Sequence, residues 1–169
     1  MKRKPARLTT TSYALLALLE QLGESTPYEI KGAMEKSTEN FWPVPHTTAY
    51  EEPARLEAGG YLSVRQEEGG RRKKAYSLTD EGRAALAAWA EDPEVSPPQA
   101  RDETLLKLFA GANPAPLLRA RRTWHEEKLA ELQGYLDAVR GEEGCLPSER
   151  VLRAGIGYHR KMLELLDET

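Results

Sequence analysis

Cysteine is almost missing from the 169 residues: Cys145 stands alone. The chain can therefore form no internal disulfide and no cysteine zinc site, which fits a reducing, cytoplasmic setting. Cys145 itself reads as a small loop or core side chain. Long apolar runs are absent too. The longest, Tyr13 to Leu19, falls far short of the ~20 residues that a membrane-spanning helix needs. Met1-Lys2-Arg3-Lys4 leads into threonine-rich sequence without a signal-peptide cleavage pattern, so neither secretion nor membrane spanning is expected. The three histidines, His46, His125 and His159, show no His-x-x-x-His or glutamate-containing metal signature, and no glycine-rich loop of the phosphate-cradling type is present. No catalytic constellation, metal site or cofactor is expected. Nor is there an excess of positive charge, since 24 Lys plus Arg against 27 Asp plus Glu leave a net charge of −3. The bulk charge does not advertise a polyanion partner.

The composition, 40 % hydrophobic and 30 % charged, is that of a soluble globular chain. Its length allows about 70 % of the unfolded surface to be buried, in one ordinary domain or two small ones. Charge is unevenly divided. Residues 1 to 90 hold 13 basic and 12 acidic side chains, leaving 11 basic and 15 acidic for the rest. Between the halves, Asp92-Pro93-Glu94-Val95-Ser96-Pro97-Pro98-Gln99 has three prolines and no apolar periodicity, which disfavours helix and strand. Two units are predicted, residues 1–91 and 102–169, joined by a linker over 92–101.

In the first unit, Leu15, Leu18, Leu19 and Leu22 recur at helical spacing and Gly23 follows in the C-terminal position, predicting a helix over Thr11 to Leu22. Thr26-Pro27-Tyr28-Glu29 is a capping box with proline at the first helical position, opening a second helix that buries Ile30, Ala33 and Met34. After the proline-broken Phe41-Trp42-Pro43-Val44-Pro45, Thr48-Ala49-Tyr50-Glu51 repeats the capping pattern and starts a third helix that ends at Gly59-Gly60. Tyr61 to Arg65 and Ala75 to Leu78 alternate around Gly69-Gly70 as a β-hairpin, and Thr79 caps a fourth helix carrying Leu86 and Trp89. This order is that of a winged helix-turn-helix.

If Ala49, Pro53 and Leu56 face the core, then Thr48, Glu51, Glu52 and Arg55 project outward together, a polar ridge suited to a DNA major groove. His46, Thr47 and Thr48 at the helix start combine short side chains with backbone N–H groups able to bind a phosphate. Either Glu51 or Glu52 could accept from a cytosine amino group, though both repel phosphate, and a capping role is the other reading for Glu51. Pro53 removes a backbone donor inside the helix and predicts a local kink. In the hairpin, Arg71, Arg72, Lys73 and Lys74 bring four cations to the wing tip, where several can reach phosphates at once.

These segments resemble the PadR family of bacterial transcriptional regulators. The likeness rests on Phe41-Trp42-Pro43-Val44, on Tyr50 with Leu56-Glu57-Ala58-Gly59-Gly60-Tyr61-Leu62, and on Gly70-Arg71-Arg72-Lys73-Lys74-Ala75-Tyr76-Ser77-Leu78-Thr79-Asp80-Glu81-Gly82, which cover most of residues 8–90. The resemblance implies a DNA-binding winged helix in a homodimer, with Tyr50 and the polar residues before it near the DNA backbone and the basic wing on an adjacent groove. Glu51, Glu52 and Pro53 depart from the basic or neutral residues that many members carry there.

The second unit reads as wholly helical. A short helix over residues 102–110 shows Leu105, Leu106 and Phe109 on one side. A long helix from Pro116 to Arg140 spaces His125, Leu129, Leu132, Leu136 and Val139 by alternating fours and threes. A last helix, capped by Ser148, repeats the seam in Leu152, Ile156, His159, Leu163 and Leu166. Two such stripes exceed what a small unit needs for its own core, so Leu129, Leu132, Leu136, Leu152, Ile156 and Leu163 are expected to meet a second copy. The resemblance agrees, since PadR-like proteins dimerise through C-terminal helices and sense aromatic compounds near a tryptophan. It makes Trp124 and His125 candidates for lining an effector site, with packing in the dimer core the other reading for Trp124. The fold expected is mainly α with a small β-hairpin. The function expected is that of a ligand-responsive homodimeric repressor on a palindromic operator, with a winged-helix protein-interaction module as the alternative.

Overall fold

The computed structural model describes residues 6–66, 73–99, 101–139 and 146–167. Two compact units divide at Ser96 and Pro97. The first holds α1 (Thr10–Leu22), α2 (Pro27–Lys36), a 3-10 turn (Thr38–Asn40), α3 (Thr48–Ala58), β1 (Leu62–Gln66), β2 (Lys74–Leu78) and α4 (Asp80–Glu91). The second holds α5 (Glu103–Phe109), α6 (Pro114–Val139) and α7 (Leu146–Asp167). Residues 92–99 join no helix or strand. The architecture is the predicted one, mainly helical with one antiparallel hairpin.

Capping sets most boundaries of the first unit. Thr9 accepts from the Ser12 amide while Ser12 Oγ accepts from the Thr9 amide at 2.9 Å, so α1 starts one residue earlier than periodicity alone predicts. It stops where expected, at Gly23, whose φ of 74° lets its N–H reach the Leu19 carbonyl at 2.9 Å. The Thr26–Glu29 box forms as read, with Glu29 Oε2 accepting from the Thr26 amide at 2.7 Å. The matching box on α3 does not form. Thr47, not Thr48, is the capping residue, and its side chain makes no cap bond. Its backbone is already right-handed helical, and the amides of Thr48, Ala49 and Tyr50 donate to the carbonyls of Pro45, His46 and Thr47 at 2.9, 3.3 and 3.0 Å. With those donors satisfied, Glu51 has no capping role to play, and α3 runs unbroken through the buried Pro53.

Leu15, Leu16, Leu19, Ile30, Leu56 and Leu62 are the largest fully buried apolar side chains of the core, which Ala49, Tyr76 and Leu78 complete. The hairpin pairs Leu62 with Leu78 through Gln66 with Lys74; its turn at Gly69-Gly70 lies outside the described residues. Ser25, in the turn between α1 and α2, exchanges two backbone bonds with Tyr76 at 2.9 and 2.8 Å, adding a third short edge to the wing. Trp89 leaves the core and stacks on Tyr13, ring centroids 4.8 Å apart and nearly parallel, joining α4 to α1.

In the second unit Asn113 Oδ1 accepts from the Ala115 amide at 3.1 Å, so α6 begins two residues before the expected Pro116. The last helix begins at Leu146, which places Ser148 inside its first turn and not at its cap. The two leucine stripes face each other within one chain. Leu132, Leu136 and Ile156 form a buried core with Leu129 and Leu152 against it, and Leu163 is half-buried. Five of the six residues expected at a contact between copies, Leu129, Leu132, Leu136, Leu152 and Ile156, thus pack together in the seam between α6 and α7. The apolar side chains left exposed on this unit are others: Leu105, Leu106, Phe109, Trp124, Val151, Tyr158 and Leu165.

The base of the wing depends on one close approach. Thr79 Oγ1 donates to the Gly60 carbonyl at 2.8 Å and accepts from the Gly82 amide at 3.1 Å, while the Thr79 amide donates to the Tyr61 carbonyl at 3.1 Å. This knot presses Gly82 so close to Tyr61 that a methyl group there would collide with the Tyr61 carbonyl. Gly82→Ala is expected to destabilise the chain by about 1–3 kcal/mol, the usual penalty for overpacking. Urea unfolding of the variant beside the wild type measures it, and an unchanged midpoint would show that the knot can relax.

Candidate nucleic-acid interface

The direction in which α3 points its side chains follows from an ion pair. Arg55 grips Glu52 through two hydrogen bonds, Nε to Oε2 at 2.8 Å and Nη2 to Oε1 at 2.5 Å. The same guanidinium donates to Ser12 Oγ at 2.8 Å and to the Arg7 carbonyl at 2.9 Å. Burial acts to raise the Glu52 carboxyl, but bonds from Arg55 and Ser12 and the guanidinium charge outweigh it and hold its pKa below the ordinary carboxylate value. Arg55 and Glu52 thus bind α3 to the start of α1. The outward ridge is rotated by about one residue from the predicted Thr48, Glu51, Glu52, Arg55, and consists of Thr47, Tyr50, Glu51, Ala54 and Ala58.

Around the start of this ridge the other predicted residues take their places. His46 is exposed, its Nδ1 3.8 Å from Glu35 Oε1, and Glu35 in turn binds Lys31 at 2.7 Å. Thr47 and Tyr50 are exposed and Thr48 is half-buried. Lys31 is raised above the usual lysine range mainly by its bond to Glu35, with smaller contributions from Tyr50 and Tyr28, which puts these three side chains of α2 and α3 near one another. Tyr28, 78 % exposed, is a surface aromatic that the sequence reading left unused. Its cue was the capping box, which places Tyr28 in the first exposed turn of α2.

Lys73 and Lys74 are exposed at the start of β2, while Arg71 and Arg72 lie outside the described residues. Lys73 adds its charge to the environment of Glu29, whose pKa is lowered chiefly by the Thr26 backbone and side-chain bonds, so the wing base and the start of α2 are electrostatic neighbours. Arg65 on β1 is held by Glu24 at 2.8 and 3.1 Å through Nε, an ion pair from wing to helix turn that sequence spacing does not reveal.

In the second unit, His125 is buried and its neighbour Trp124 is 49 % exposed. The indole packs edge-on to His125 at 4.8 Å and lies 5.4 Å from His159, with Tyr158 completing a cluster of four rings. His125 Nδ1 is 2.8 Å from His159 Nδ1. No group of three or more metal-binding side chains exists among the described residues, and no described helix is long and apolar enough to cross a membrane.

Comparison with known proteins places this geometry. Residues 15–88 match the Transcriptional regulator PadR-like family, and residues 100–169 match the family described as Virulence activator alpha C-term. The chain is 30 % identical over 134 residues to the Negative transcriptional regulator PadR of Bacillus subtilis, covering 75 % of this chain and 73 % of that protein. This chain belongs to the PadR-like family of transcriptional regulators. Its fold is similar to that of B. subtilis PadR in complex with operator DNA, with a TM-score of 0.81 at 24 % identity over 95 % of this chain and 96 % of the other. B. subtilis PadR in complex with p-coumaric acid is similar as well, with a TM-score of 0.76 at 23 % identity over 95 % and 96 %.

Arg55→Ala is expected to lower stability by about 1 kcal/mol, the modest value appropriate to a partly exposed charged pair. Arg55→Lys should recover less than half of that, because an ammonium cannot reproduce the bidentate fork. Chemical denaturation of both variants tests it, and full recovery by lysine would reduce the contact to simple charge.

Proposed function

We propose that this PadR-like regulator is a ligand-responsive repressor, acting in the cytoplasm as a homodimer on a palindromic operator, by binding and not by catalysis. The observation that carries the reading is the exposed α3 ridge beside the wing lysines Lys73 and Lys74. In this reading residues 1–91 form the DNA-binding domain, 92–101 the linker and 102–169 the dimerisation domain. His46, Thr47, Thr48, Tyr50, Arg71, Arg72, Lys73 and Lys74 contact DNA, and Arg55 positions α3 from behind. Ala54 suits a thymine methyl group and Glu51 a cytosine amino group, so the ridge carries base-reading chemistry. Two copies of α3 about 34 Å apart would enter successive major grooves.

The relative's description as a negative regulator, and the similar structure with operator DNA, support repression through an operator. The similar structure with p-coumaric acid supports a small aromatic effector, for which Trp124 and His125 are the candidate contacts. The copies meet through the side chains left exposed on the helical unit, Leu105, Leu106 and Phe109 foremost.

Fluorescence anisotropy with the DNA upstream of the chain's own gene should show salt-sensitive binding. Lys73→Ala and Lys74→Ala should weaken all sequences alike and lower the salt slope by about one each. Absence of binding at low ionic strength would leave the protein-interaction module, to which Glu51 on the ridge is no obstacle. Light scattering should give twice the chain mass, and Phe109→Glu should shift it toward the monomer; a wild-type monomer would remove the dimer from the reading.

A further inference from the structure

Two histidines on opposite helices bury their rings against one another. His125 on α6 is 1 % exposed and His159 on α7 is 7 % exposed. Their Nδ1 atoms lie 2.8 Å apart, so one nitrogen carries a hydrogen and the other offers a lone pair. The far side of the His125 ring decides which. His125 Nε2 is buried and meets no hydrogen-bond partner. A hydrogen stranded there is less tolerable than a stranded lone pair, because orphaned buried N–H groups are the rarer defect. His125 therefore keeps its hydrogen on Nδ1 and donates to His159 Nδ1, and both rings are neutral.

We propose that this pair is a one-proton latch that holds α6 against α7 at neutral pH and lets go on acidification. An added proton has two destinations. On His125 Nε2 it would create a buried cation whose new N–H has no acceptor. On His159 Nδ1 it would set two N–H groups head to head across 2.8 Å. Either breaks the bond or forces the helices to shift.

The surroundings offer the added charge little compensation. From the N-cap of α5, Asp102 acts on His125, but its carboxylate is already bound by Arg121 of α6. Arg121 acts against positive charge on His125, and Lys128 of α6, paired with Glu131 at 2.7 Å, acts against it on His159. Trp124 from α6 and Tyr158 from α7 contribute rings. Burial first, and then these cations, hold both histidines below the ordinary value of 6.5. The folded chain therefore binds fewer protons than the unfolded chain just below pH 6.5. Stability is fully present above that pH and is lost as the pH falls from there through the lowered pKa values.

The latch is independent of any DNA contact, and its test uses the full-length protein without DNA. In protein labelled with ¹⁵N-histidine at pH 7.5, long-range ¹H–¹⁵N spectra should show His125 protonated on Nδ1 and His159 on Nε2. Both should titrate together below 6.5, and the thermal midpoint should fall by roughly 5 °C between pH 7.5 and 5.5. In His159→Asn the amide oxygen can take the place of Nδ1 as acceptor without accepting a proton in this range. That variant should stay folded and lose at least half of the pH-dependent drop. Independent titration of the two wild-type rings at the ordinary value, or an asparagine variant as acid-sensitive as the wild type, would overturn the latch.

Discussion

The bonds from Arg55 of α3 to Ser12 and to the Arg7 carbonyl tie α3 to the start of α1, and the candidate reading surface depends on how α3 is turned. Three positions of α3, Ala49, Pro53 and Leu56, are buried and set which face meets the core. The tether to Ser12 and the Arg7 carbonyl adds a polar anchor on the same helix. The Arg55–Glu52 pair also neutralises one positive and one negative charge against each other, with Glu52 largely covered and Arg55 partly exposed. The remaining ridge is short and nearly uncharged, with Glu51 its single ion. The exposed cations lie instead on the hairpin, at Lys73 and Lys74, so positive charge and the nearly neutral ridge reside on separate elements.

Local chemistry made much of the first unit legible. Thr26 with Glu29, Gly23 after Leu22, and Thr79 before Asp80 each mark an element end through bonds within a few residues, and each forms as expected. The failure at Thr48 is equally local in origin. Capping requires unsatisfied amides, and the turn through Pro45 to Thr47 had already supplied them with carbonyls. No pattern of residue types encodes that, because it depends on the path of a proline-rich loop. The tie from Arg55 to Ser12 spans 43 positions and the pair Arg65–Glu24 spans 41, so periodicity had no access to either.

In the second unit the period was readable and its partner was not. Spacing by fours and threes says that a helix face seeks another helix, and it is silent on whether that helix belongs to the same chain. Leu132, Leu136 and Ile156 answer inward, and a different set of apolar side chains stays exposed. Both histidines sat in these stripes among leucines. Their place there was visible from the sequence; that they occupy facing positions on the two stripes, and so exclude other partners, required the register of α6 against α7.

The engaged amides at the start of α3 have a consequence for any anion that arrives there. Fixed backbone donors would demand an oxygen at one spot and in one direction. Thr47 instead presents a hydroxyl rotor, and His46 an exposed imidazole ring. Such contacts follow small displacements of a phosphate and lose little strength in doing so. The entrance of the helix thus offers an anion adjustable side-chain donors in place of fixed backbone amides.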